Sequence, residues 1–88
     1  MKLCGEFVLR QIMDSTVAIP VGETALRLNG MIVLNDVSKR IWTCLEQNTE
    51  LESIVTAVTE DFEVSPEQAR EDILEFLDKL RAAQLLED

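Results

Sequence analysis

Apolar residues cluster in short extended runs along the first third of the chain and recur at three- and four-residue spacing along the rest. Phe7 to Met13 is rich in β-compatible side chains, Asp14-Ser15 supplies a turn, and Thr16 to Val21 reads as the returning strand. This hairpin places strands at about 6–13 and 16–21. Pro20 cannot donate to a ladder, so it belongs at a strand end or faces away from its partner. Gly22-Glu23 breaks the second strand. Between Thr24 and Asn29, Leu26 and Leu28 alternate as they would in an extended segment, and Asn29-Gly30 is a turn signal. Met31-Ile32-Val33-Leu34 then forms a third strand, about 31–35. It lacks the apolar–polar alternation of a strand with one wet face. Two readings of this run stand: a strand buried on both faces, or an edge strand beside a groove.

Three helices follow, at about 36–47, 50–62 and 66–83. Asn35 or Asp36 caps the first, and Val37, Ile41, Cys44 and Leu45 repeat at helical spacing with Trp42 beside them as a core residue. Thr49 and Glu52 have the spacing of a capping box for the second, whose stripe is Leu51, Ile54, Val55, Val58 and Phe62. Ser65 caps the third, Pro66 takes its first position and Gln68 completes the box. Ala69, Ile73, Phe76, Leu77 and Leu80 face inward, with Leu74 off that stripe on a row with Arg70, Leu77 and Arg81. Leu85-Leu86 folds back onto the core. The fold class is α+β: a three-stranded antiparallel sheet followed by three helices, in one domain over residues 1–88.

The charge balance narrows the function. With 17 acidic and 8 basic side chains the formal net charge is -9. Such a surface repels nucleic-acid phosphates and anionic membranes, which need clustered Lys and Arg. No stretch is apolar and long enough to span a bilayer, and MKLCGEF is not a secretory signal, so the cytoplasm is the expected compartment. Cys4 and Cys44, with no histidine, do not make a zinc site. Cys44 reads as a buried free thiol and Cys4 as exposed, with a disulfide between them left open.

The same inventory argues against catalysis. The commonest general base is missing, the three glycines form no phosphate loop, and Glu60-Asp61 and Glu71-Asp72 read as solvated helix faces. Neither cofactor nor metal is expected. Binding is what remains, and Met31 to Leu34 is the candidate edge for a peptide added as a strand.

Phe7-Val8-Leu9-Arg10, Val21-Gly22-Glu23, Asn29 to Asn35 and Ile41-Trp42 together resemble the coenzyme PQQ synthesis protein D (PqqD-like) family. Glu60 to Ser65, Asp72 to Leu77 and Leu85-Leu86 continue the resemblance over nearly the whole chain. It implies a winged helix-turn-helix-like fold. It also implies a recognition element that binds the leader segment of a ribosomally made precursor peptide. Such an element presents the core segment to a modifying enzyme, often a radical S-adenosylmethionine enzyme. In that family the leader adds to the third strand in a cleft against the third helix. Carried over, the strand side is Met31, Ile32, Val33 and Leu34, and the helix side is Arg70, Ile73, Leu74 and Leu77. Val37-Ser38-Lys39-Arg40 is bulkier and more basic than the small residues common there in relatives. The resemblance is therefore to the broader family, not to its PQQ-making member. A winged-helix DNA-binding regulator is the alternative, opposed by the acidic surface. The chain is expected as a monomer or a weak homodimer through the open edge.

Overall fold

The computed structural model describes residues 1–88. A two-residue strand β1 (Lys2–Leu3) precedes the hairpin of β2 (Phe7–Ile12) and β3 (Ser15–Pro20). The hairpin turns at Met13-Asp14, one residue earlier than the sequence pattern places it, with Met13 in the left-handed region at φ 57°. A two-residue connection with positive φ at its first position matches the twist of the flanking strands.

Thr24 to Asn29 does not extend. Gly22–Arg27 forms a six-residue helix, α1, and Leu28 at its end has returned to β geometry. The helix escapes periodicity reasoning because it buries one polar residue, Thr24, and leaves Leu26 exposed. Thr24 Oγ1 accepts the Glu6 N–H at 2.8 Å, which ties α1 to the start of β2. A side chain at Gly5 would put its Cβ 2.9 Å from that same oxygen, and φ at Gly5 is +102°.

The third predicted strand is β4 (Ile32–Leu34), which pairs antiparallel with β3 through Thr16↔Leu34, Val17↔Val33 and Ala18↔Ile32. The order β2-β3-β4 makes β4 an edge. α2 (Asp36–Leu45), α3 (Leu51–Asp61) and α4 (Pro66–Ala82) follow, and β5 (Leu86–Glu87) pairs with β1 to tie the chain's two ends together. The tally of three strands then three helices is thus extended by α1 and by the small β1–β5 sheet.

Caps fix the helix starts. Asn35 Oδ1 accepts the Ser38 N–H at 2.8 Å while Ser38 Oγ accepts the Asn35 N–H at 2.8 Å, a reciprocal box at the head of α2. Asn35→Ala is expected to cost about 1 kcal/mol in a urea unfolding titration. An unchanged midpoint would remove the box from the account. At α4, Ser65 Oγ accepts the Gln68 N–H and Pro66 sits in the first turn, but the Gln68 side chain turns to Asp72 instead of closing the box. The Thr49–Glu52 box does not form. Glu50 occupies the cap of α3 without a side-chain bond, the Thr49 N–H donates to the Met1 carbonyl, and Glu52 pairs with Arg70.

α4 ends in a Schellman motif. Gln84 adopts φ 60°, its N–H donates to the Arg81 carbonyl, and the Leu85 N–H donates to the Leu80 carbonyl at 2.8 Å. This turn drops Leu85 into the interior. The core joins one face of the sheet to three helices: Ala18 and Leu34; Ile41, Trp42 and Leu45; Ile54, Val55 and Val58; Ala69, Ile73, Leu77 and Leu80; and Leu85. Trp42 meets the Phe7 ring edge-on, with centroids 5.0 Å apart at 87°. Cys4 and Cys44 are free thiols, and both are half-buried, which corrects the exposed and buried placements expected for them.

Candidate functional site

Strand register decides which backbone groups face the open edge. The Val21 N–H donates to the Glu6 carbonyl, so that pair is hydrogen-bonded and the alternation runs on through Val8–Ile19, Arg10–Val17 and Ile12–Ser15. The odd-numbered residues of β3 therefore serve β2, and Thr16 and Ala18 serve β4. Pro20, with no N–H, falls at a strand end in a non-bonded pair with Phe7, where its missing donor is not needed. On β4 the consequence is direct. Ile32 and Leu34 are spent on β3, while the N–H and C=O of Val33 point outward from the sheet.

Side chains alternate on the same rule. Ile32 and Leu34 face the helices, and Leu34 is 2% exposed. Val33 is 67% exposed on the opposite face, with Met31 at 53% just before the strand. The continuous apolar run is thus an edge strand with one buried face and an apolar outer face, not a strand covered on both sides.

Beside this edge runs a groove of about 510 Å³. One wall is Leu28, Ile32 and Val33, the base is Val37 and Ile41, and the opposite wall is the α4 face carrying Asp72, Glu75, Phe76, Lys79, Leu80 and Ala83. Its dimensions and apolar base suit an extended ligand held by main-chain bonds on one side. Its polar lining is Asn35, Ser38, Asp72, Glu75 and Lys79. Asn35 and Ser38 are already committed to each other in the α2 cap.

The expected site residues separate into two groups. Ile32 and Val33 line the groove, Met31 is exposed just before the strand and is not part of the lining, and Leu34 is sealed beneath in the core. On α4 none of the four expected residues lines it. Ile73 and Leu77 are 0% exposed inside the core. Arg70 reaches away to Glu52 on α3, with both carboxylate oxygens at 2.8 Å. Leu74 is 40% exposed on the far side of the helix. At about 100° per residue, Asp72, Phe76, Lys79 and Ala83 fall on one flank of the core stripe and Arg70 and Leu74 on the other. The stripe is legible in sequence; which flank meets the sheet edge is set by how α4 docks.

No group of three or more His, Cys, Asp or Glu side chains is placed to hold a metal ion. No helix is long and apolar enough to cross a membrane.

Comparison with known proteins bears on this groove. The profile of a family described as coenzyme PQQ synthesis protein D (PqqD) matches residues 16–86. No curated protein matches the sequence significantly. Among solved structures, TbiB1 in complex with the TbiA(beta) leader peptide is similar: 29% sequence identity, a TM-score of 0.74, and coverage of 99% of this chain and 95% of that one.

Proposed function

This chain belongs to the coenzyme PQQ synthesis protein D family, and from that premise we propose that it is a peptide-binding module for the leader segment of a ribosomal precursor peptide. The leader adds as a strand to β4 and lies in the groove against α4. The observation that carries this reading is the outward-facing N–H and C=O of Val33, at a sheet edge bordered by an apolar channel. The similar chain TbiB1 is solved with a leader peptide, which supports the same class of ligand here.

The module acts without catalysis of its own and hands the peptide to a modifying enzyme, with a radical S-adenosylmethionine enzyme as the class the family resemblance implies. The β2–β3 hairpin takes the place of the wing in a winged-helix-like arrangement. The β2 edge is also open, but no comparable apolar channel runs along it, which supports β4 as the docking edge.

The site comprises Met31, Ile32 and Val33 on the strand side and Asp72, Phe76 and Lys79 on α4. An amide NMR titration with a leader peptide is expected to move these residues and to leave Arg70 and Leu74 unmoved. Perturbation concentrated on Arg70 and Leu74, or on Phe7 to Gln11, would place the peptide elsewhere. In the same assay Arg70→Ala is expected to change affinity less than about twofold. Arg70 serves an exposed ion pair to α3, and such pairs contribute under about 1 kcal/mol.

A further inference from the structure

An edge strand whose outer face meets water ordinarily takes a partner with alternating apolar and polar residues. The surroundings of Val33 ask for something else. In either strand direction, the peptide residue opposite Val33 puts its side chain on Val33's face, and its two neighbours put theirs on the face of Ile32 and Leu34. The neighbours therefore enter the groove, over Ile32, Val37, Ile41 and Phe76. The central side chain lies outside it, against Val33 and Met31, which are 67% and 53% exposed. Behind Val33 on that face stands Val17, its cross-strand partner, at 4% exposed. The central position is thus apolar ground as well.

The edge is also short. At one end the Asn35 N–H is taken by Ser38 Oγ and the Asn35 carbonyl by the Lys39 N–H. At the other end Gly30 turns the backbone away at φ +87°. Only Met31 and Val33 remain to offer outward main-chain groups, so the side chains around that rung must supply most of the discrimination.

We propose that the site selects a segment with three consecutive apolar residues, the outer two seated in the groove and the middle one packed on the outer face against Val33 and Met31. This deepens the leader-binding reading and rests on it. The partner is a peptide whose recognition segment is a compact apolar triplet, not an alternating strand.

A random-peptide display library panned against the full chain tests it, followed by titration of synthetic copies of the enriched peptides into isotope-labelled protein. The enriched sequences are expected to share an apolar triplet and to move the Val33 amide. Replacing the middle residue by Asn should weaken binding about tenfold, and Val33→Thr should weaken the parent peptide several-fold while leaving the unfolding midpoint near wild type. Enriched peptides that move Val33 yet carry a polar middle residue, or tolerate Asn there with unchanged affinity, overturn the triplet and leave strand addition standing. Binders that leave Val33 unmoved, or a library that yields none, overturn strand addition at β4 and the triplet with it.

Discussion

Val33→Pro is expected to weaken leader-peptide binding by roughly tenfold to a hundredfold while the domain stays folded. The Val33 N–H points away from β3, so proline removes no bond from the β3–β4 ladder. An edge position with its N–H toward solvent is where sheets tolerate proline. What is lost is the donor for the incoming strand. A peptide carbonyl then faces a proline ring in place of an N–H, losing a hydrogen bond and leaving an acceptor unpaired, about 1–3 kcal/mol in all. Val33→Ala keeps the donor and separates this effect from loss of the side chain. Ile32→Pro is the opposite case, because the Ile32 N–H belongs to the ladder with Ala18, and it should destabilise the domain itself. Calorimetric titration of Val33→Pro beside Val33→Ala reads the difference. Equal affinities would mean that the peptide does not use this strand.

Trp42→Ala is expected to be the most damaging single change to stability, at about 3–5 kcal/mol. Trp42 is 1% exposed in α2, and its ring packs edge-on against Phe7 of β2, joining the sheet to the helical layer. Truncation opens a cavity where these layers meet, and the aromatic pair's own contribution is lost with it. A domain of this length has a total stability of roughly 4–13 kcal/mol, so the variant approaches the limit of folding. Urea unfolding measures it, with Trp42→Phe expected to recover part of the loss. A Trp42→Ala midpoint indistinguishable from wild type would show that the sheet and helices are not joined through this contact.

The parts of this fold legible in sequence are those with a strong local signal. Ser65-Pro66 starts α4, Asn35 starts α2, and the apolar stripes of α2, α3 and α4 mark residues that do form the core. Local signals failed where a non-local contact competed. Thr49 and Glu52 have capping spacing, but Met1 and Arg70 engage them instead. β1 and β5 are two residues each and pair the two ends of the chain, which no short window can register. α1 has no apolar stripe, because its one buried residue is a threonine held by Glu6.

The strand wall of the groove was legible in sequence and the helix wall was not, for a related reason. Apolarity without alternation in Met31 to Leu34 marks an unusual strand, and the structure resolves it as an edge with an apolar outer face. On α4 the same logic selects the core stripe, and a groove wall is by nature its flank. Asp72 and Lys79 look like ordinary surface charges until the helix is set against β4. Phe76 was the available clue, being the large apolar residue at the margin of the stripe.

Strand addition at β4 predicts which amide changes state when the peptide binds. Amide hydrogen exchange of the free chain should show Ile32 and Leu34 protected by the β3 ladder and Val33 exchanging fast, since its N–H has no partner. With a leader peptide bound, the account predicts strong slowing at Val33 and little change at its two neighbours. A saturating peptide that leaves Val33 exchanging at its free rate would contradict it.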